Sequence, residues 1–313
     1  IVNLYGYDRL PDTAPAFPLI PAVREEGITL KENVRELLRG FGLSEVYNYS
    51  FVSRKDLTTY ADPKWWNAIS LLNPISADFQ YLRPNLALNL FKNLEDNLRF
   101  YESVSLFEIG KVFSEKRNGL EEKTSLGIAL SVKKGSSPIL ELKGIIDSLL
   151  CGLGLTDFFF RDLNWELKFL DEESSLRIES DHRVLGYLGV SKNDQKSVVA
   201  ELDIEKILEL TEGEKEYRPI PKFPAVLRDL SIIVDSGQRV GPIQDLIENG
   251  SHLLDDVDLV DWYEDTKIGK GKKSLTFRLV FQARDRTLTD AEVGKEMEKI
   301  VAFLQEKFDA ETR

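Results

Sequence analysis

Residues 230–281 read LSIIVDSGQRVGPIQDLIENGSHLLDDVDLVDWYEDTKIGKGKKSLTFRLVF, and residues 289–308 read TDAEVGKEMEKIVAFLQEKF. Leu230, Ile232 and Val234 fall on alternate positions, as a strand with one buried face requires. A short helix is predicted from about Pro242 to Asn249, followed by strand-like runs at Val257–Tyr263 and Leu275–Phe281. Leu275, Phe277, Leu279 and Phe281 share one side of the latter run. Thr289-Asp290-Ala291-Glu292 is a capping-box sequence, in which each end satisfies a free backbone donor of the other. Behind it, Val293, Met297, Ile300, Val301, Leu304 and Phe308 form a core-facing helical stripe. A final short strand is predicted within residues 309–313. Strand, helix, strand, strand, helix, strand over residues 226–313 is the ferredoxin-like βαββαβ plan.

Upstream, residues 211–225 are charged and then broken by Pro219, Pro221 and Pro224, which reads as a linker. Residues 25–210 read as an α+β domain with a largely antiparallel sheet and helices packed on it. Its first helix carries Leu30, Val34, Leu37, Leu38 and Phe41, and an aromatic and β-branched run from Val46 to Val52 predicts a strand. A second helix carries Leu86, Leu90, Leu94 and Leu98. Strands are predicted at Val104–Phe113 and Ser125–Val132 around the turn signal Asn118-Gly119. A third helix spans about 139–153, and strands near 175–180, 184–191 and 198–203 precede a short helix ending near 210. Residues 1–24, with Pro11, Pro15, Pro18 and Pro21, predict an extended connector. Ile1 is not a start methionine, so the chain is expected to be a piece of something longer, with the connector leading from an upstream domain.

The 313 residues suffice for about two domains, and 42% hydrophobic with 30% charged residues is the composition of a folded globular protein. No run approaches the roughly 20 apolar residues of a membrane helix. The single cysteine, Cys151, cannot form an internal disulfide, which fits a reducing cytoplasm; its place on an apolar helical pattern predicts a buried, inert thiol. The two histidines, His182 and His252, have no neighbouring cysteine and offer no zinc site. A net charge of −12 opposes nucleic-acid binding by the body as a whole, so any RNA contact must use a local basic patch.

Several strings, taken in order, resemble one family. They are Tyr5-Gly6-Tyr7-Asp8 with Pro11, the segment from Asn73-Pro74 to Leu82-Arg83-Pro84, and Leu106-Phe107-Glu108-Ile109-Gly110. The tail adds Phe223-Pro224-Ala225-Val226, Arg228-Asp229-Leu230, Gly271-Lys272-Lys273-Ser274-Leu275 and Arg286-Thr287-Leu288-Thr289-Asp290. Together they resemble the C-terminal part of the large (beta) subunit of bacterial phenylalanyl-tRNA synthetases, over the whole chain. The resemblance implies a non-catalytic class II synthetase-like domain followed by a ferredoxin-fold anticodon-binding domain. It further implies an α₂β₂ assembly with a catalytic alpha subunit, binding of the anticodon stem-loop of tRNA-Phe, and ATP and magnesium used by the complex with no cofactor in this chain. The sequence departs from the family between Trp165 and Val184, where Glu172-Glu173-Ser174-Ser175 replaces the His-Pro-Gly-Arg-type turn often found there.

A working class II site needs arginines to hold a triphosphate by charge-assisted hydrogen bonds. Glu108-Ile109-Gly110 occupies a strand that could carry one such arginine, Lys111 is the nearest cation by sequence, and no Gly-rich phosphate loop is present. Paired acids such as Glu25-Glu26, Glu121-Glu122 and Asp255-Asp256 read as solvated surface. In the tail, Leu275, Phe277, Leu279 and Phe281 should face the helices, leaving Thr276, Arg278 and Gln282 on an open sheet face of the kind that RNA-recognition domains use. Trp262 or Tyr263 joins them, depending on register. Lys267, Lys270, Lys272 and Lys273 cluster in the preceding loop, and Arg284 and Arg286 follow the strand. Yet residues 220–313 hold 14 Lys+Arg against 18 Asp+Glu, net −4, and charge alone reads these cations as a solvated loop. The resemblance turns Arg278, Lys272 and Lys273 into RNA-binding candidates, with Arg284 and Arg286 behind them. Arg228 could reach a phosphate or fix the linker by an ion pair. The stripe of Leu30, Val34, Leu37, Leu38 and Phe41 alone reads as core, whereas the resemblance makes it a subunit interface. A stand-alone amino-acid-binding regulatory module is the rival reading, since ferredoxin-like domains also serve that role.

Overall fold

The computed structural model describes residues 2–14, 16–18, 21, 25–60, 68–116, 119–131, 137–211, 221–265 and 268–312. The chain divides into two compact units, Ile1–Glu214 and Lys215–Arg313. The division falls inside the stretch read as a linker, of which residues 212–220 lie outside the described ones.

The first unit begins with α1 (Val2–Tyr5) and a 3-10 turn at Tyr7–Arg9, so the expected extended connector is helical at its start. There follow α2 (Glu26–Gly40), β1 (Ser44–Glu45), β2 (Phe51–Val52), α3 (Arg54–Tyr60), β3 (Tyr81–Leu82), α4 (Ala87–Asn97), β4 (Val104–Lys116) and β5 (Gly119–Ser131). The unit is completed by α5 (Pro138–Gly152), β6 (Phe159–Asp162), β7 (Leu170–Ser180), β8 (Arg183–Ser191), β9 (Ser197–Asp203) and α6 (Ile204–Thr211). Seven strands form one sheet in the order β1-β4-β5-β9-β8-β7-β6. It is antiparallel except at its β1 edge, where Ser44 and Glu45 run parallel to Leu106 and Phe107.

Alternation along the strands places this sheet in the middle of three layers. Phe107, Ile109, Leu126 and Ile128 pack with the buried stripes of α2, α5 and α6. Val104, Leu106 and Ala129 point the other way, into a core closed by α3 and α4. A sheet covered on both faces needs strands with little polar alternation, and β9 is buried at every position from Ser197 to Leu202.

Leu30, Val34 and Leu38 are 6%, 0% and 0% exposed within the unit's own core and Leu37 packs against that core, as the stripe alone reads, while Phe41, 40% exposed at the end of α2, faces outward. Two sequence expectations are corrected here. The run Val46–Val52 is not one strand: β1 and β2 belong to different sheets, and between them Asn48 turns its side chain and backbone N–H toward the Glu108 carboxylate. Cys151 is exposed, because the buried stripe of α5 passes through Leu142, Ile146, Leu149 and Leu150 and leaves the next position off the core face.

The second unit contains β10 (Val226–Asp235), α7 (Val240–Glu248), β11 (Leu254–Tyr263), β12 (Lys272–Phe281), α8 (Asp290–Phe308) and β13 (Glu311–Thr312). Its strand order β11-β12-β10-β13 is the ferredoxin-fold arrangement read from the sequence. Leu275, Phe277, Leu279 and Phe281 are all buried beneath the helices with Ile243, Ile247, Val293, Ile300 and Leu304. The capping box is formed: Thr289 accepts from the Glu292 backbone, while the Glu292 side chain accepts from the Thr289 N–H at 2.9 Å. Arg286 and these hydrogen bonds hold the Glu292 carboxyl down at about 2. Thr289→Ala is expected to cost this unit about 1 kcal/mol, read as faster hydrogen exchange in the first turns of α8.

Candidate nucleic-acid interface

Directly paired residues in a sheet share a face, so the register of β10, β11 and β12 sorts every candidate. Leu227, Asp229, Ser231 and Ile233 lie opposite Val280, Arg278, Thr276 and Ser274, all on the face away from the helices. Asp256, Asp258, Asp261 and Tyr263 join them from β11. An irregularity between Leu259 and Asp261 shifts the alternation, which decides the pair left open by sequence. Tyr263, opposite Ser274, is on the open face; Trp262, opposite Leu275, is on the helix side, though 62% exposed.

The open face carries more carboxylate than cation. Asp229, Asp235, Asp256, Asp258, Asp261 and Glu311 occupy it, against Lys272 and Arg278. Both cations are engaged. Arg278 donates Nε and Nη2 to the two Asp229 carboxylate oxygens at 2.9 and 3.2 Å, and Asp258 lies directly opposite it. That fork holds the Asp229 carboxyl below the ordinary carboxylate range. Lys272 donates to Glu311 across the sheet. A hydroxyl pair, Ser231 and Thr276 at 2.9 Å, sits between these ion pairs.

The remaining candidates scatter. Arg228 is on the helix side of β10 and pairs with Asp290 at the start of α8, 2.6 Å away, so its neighbour Asp229 is not its partner. Arg286 pairs with Glu292 at 2.8 Å. Arg284 is exposed and makes no ion pair among the described residues. Lys273 lies opposite Val234, on the other face from Lys272. Lys270 is exposed, and Lys267 lies outside the described residues. The structure therefore places arginines at the end of the sheet where β10 begins and lysines at the end where β12 begins, with an acidic face between.

In the first unit, sequence reading missed the group that matters most. Arg83, 2% exposed, donates Nη1 to the Glu108 carboxylate at 2.7 Å and Nε to the Lys111 carbonyl at 2.9 Å. Glu108 is wholly buried and also accepts from Asn48, whose amide reaches Asn93 as well. Gly110 permits this pair, since a Cβ there would lie 2.3 Å from Arg83 Nη2. Lys111, the nearest cation by sequence, instead points outward to Glu122. Arg83 and Glu108 thus form a closed pair with neither group turned to solvent. A cleft of about 370 Å³ beside Trp165 in the divergent segment is lined by Glu166 and Glu172 and by no cation.

A second buried acid anchors α4. Glu201 of β9 accepts from the backbone N–H groups of Leu86 and Ala87 at 2.9 and 3.4 Å and from the Tyr187 hydroxyl at 3.2 Å. Burial outweighs these bonds and pushes its carboxyl up to about 7.

Comparison with known proteins decides the family. The model described as "Phenylalanyl tRNA synthetase beta chain CLM domain" matches residues 10–210, and "Ferredoxin-fold anticodon binding domain" matches residues 221–313. The chain belongs to the phenylalanyl-tRNA synthetase beta chain family. Phenylalanine–tRNA ligase beta subunits from Clostridium tetani and Moorella thermoacetica are each 32% identical to it over its whole length. The chain spans 41% and 42% of those relatives. The subunit from Clostridium acetobutylicum is 29% identical over the whole chain and 41% of its own length. A solved pyrrolysyl-tRNA synthetase from Desulfitobacterium hafniense overlaps 59% of this chain and 69% of its own at 16% identity and a TM-score of 0.49. No helix among the described residues is long and apolar enough to cross a membrane.

Proposed function

We propose that this chain is the C-terminal part of the large subunit of a phenylalanine-tRNA ligase, and that it works by binding and support rather than by chemistry. Its second unit docks the anticodon stem-loop of tRNA-Phe, and its first unit supports the catalytic alpha subunit in an α₂β₂ complex of the cytoplasm. ATP and magnesium are used by that complex at sites outside this chain. The observation that carries the reading is the succession of the two family matches along one chain, residues 10–210 and then 221–313. The closed Arg83–Glu108 pair supports the non-catalytic part. The arginines and lysines at the two ends of the ferredoxin-fold sheet suit phosphates better than its acidic middle does.

Two experiments test this. Light scattering of the chain with the alpha subunit from the same organism should reveal a mixed complex. If the full-length large subunit also fails to form one, the support role is wrong. For RNA, anisotropy of a labelled tRNA-Phe anticodon stem-loop should report binding that weakens steeply with salt. Arg284→Ala should weaken it at every salt concentration and reduce the slope of log affinity against log salt by about one. An unchanged slope would remove Arg284 from the phosphate contacts.

A further inference from the structure

The open face of the ferredoxin-fold sheet is built against phosphate. A face that bound the sugar–phosphate backbone along its length would present unpaired cations, since backbone affinity comes from charge neutralisation. Here the one central guanidinium, Arg278, is held in a two-pronged bond by Asp229 and faces Asp258 across the neighbouring strand. Asp256 and Asp261 extend the negative row on either side of Asp258. All of these carboxylates are exposed, so none is explained as a structural bond in a core. Apolar and hydroxyl groups lie among them: Leu227, 57% exposed, opposite Val280, and the Ser231–Thr276 pair.

We infer that Asp229 and Asp258 are specificity-determining residues that keep generic RNA backbone off the open face. An RNA admitted there must present base faces and edges to the sheet and carry its phosphates at the basic ends. A folded loop with splayed bases can do this, whereas an arbitrary strand lying along the sheet brings its phosphates against the aspartates. This inference rests on the RNA-binding reading above. It assigns the carboxylates a role in selectivity, one that a survey of cations overlooks. Neutralising them releases Arg278 and removes the repulsion, so affinity rises for the wrong RNA first.

The test uses the whole chain, with Asp229→Asn and Asp258→Asn separately and together, both isosteric changes at exposed positions. Glu306→Gln, an exposed position on α8, controls for the single charge removed in each single variant, and Glu298→Gln with Glu306→Gln, both exposed on α8, for the two removed in the double variant. The probes are a fluorescein-labelled oligouridylate and the tRNA-Phe anticodon stem-loop at low salt. The double variant should bind oligouridylate roughly three- to tenfold tighter than the unaltered chain, with a steeper salt slope and a smaller preference for the stem-loop. If it binds oligouridylate no tighter than the chain carrying both Glu298→Gln and Glu306→Gln does, while the unaltered chain binds the stem-loop, the inference falls and the RNA-binding reading stands. If the variants lose stem-loop binding, the aspartates are contacts to bases and the inference again falls. If neither the unaltered chain nor any variant binds either probe, the RNA-binding reading itself fails.

Discussion

Replacing Arg83 by alanine is expected to destabilise the first unit by about 3–5 kcal/mol, because it strands a buried charge. Glu108 is 0% exposed, and without Arg83 its carboxylate keeps only the hydrogen bonds of Asn48. Hydrogen exchange resolved by peptide is the measurement. Amides of β4 and β5 should lose protection, while those of β10 and β12 in the other unit keep theirs. Adding Glu108→Gln to Arg83→Ala should recover much of the loss, since the neutral amide needs no counter-charge; the two changes are then strongly non-additive. Protection unaltered in the single variant would mean that the pair contributes little to holding the unit together.

The second large effect is a dependence on pH. The Glu201 carboxyl titrates at about 7 in the folded chain, against an ordinary value of 4.5. A raised acid means that, between those values, the folded state holds a proton that the unfolded state has lost. The stabilisation is therefore full below pH 4.5 and lost as pH rises through 7. Over that window the first unit should lose on the order of 3 kcal/mol from this group. Glu201→Gln keeps an oxygen for the Leu86 and Ala87 N–H groups and cannot ionise. Its stability should therefore exceed that of the unaltered chain at pH 8 and match it near pH 4.5. The difference between the two proteins isolates Glu201 from Asp56 and Glu292, whose lowered carboxyls act at lower pH. Parallel pH profiles for the two proteins would rule the effect out.

How much of this was legible in the residues follows from which interactions are periodic. The stripes of α2, α4, α5 and α8 and the alternation in β10 and β12 repeat at 3.6 and 2 residues, so helices and strands could be read directly. The ferredoxin-fold unit is almost entirely of this kind, and its order, core and capping box were predictable. What escaped has no local period. Arg83 meets Glu108 across 25 residues and Glu201 meets Leu86 across 115, and no spacing rule announces either. The strand expected at Val46–Val52 failed because the pull of Asn48 toward Glu108 is a tertiary contact that overrides propensity. Most of the RNA candidates are cations, with Trp262 or Tyr263 added for its ring, and sequence alone does not tell that Arg278 sits in the grip of Asp229 or that Lys272 and Lys273 part to opposite faces. Charge composition did contain a warning, since net −4 over residues 220–313 had to put its excess acid somewhere.

The capping of α4 by Glu201 also bears on the order in which the chain can fold during synthesis. Leu86 N–H, at the opening of the helix, waits on a carboxylate translated 115 residues later. β5, central to the sheet, likewise waits for β9 at Ser125–Asp203 to cover its second edge. At roughly 5–20 residues per second, a ribosome needs many seconds to cross that gap, and the nascent first unit spends them with an open strand edge and an unfinished helix start. Chains stalled before Ser197 should accordingly be the form that chaperones hold and proteases cut, and release should come with the synthesis of one strand.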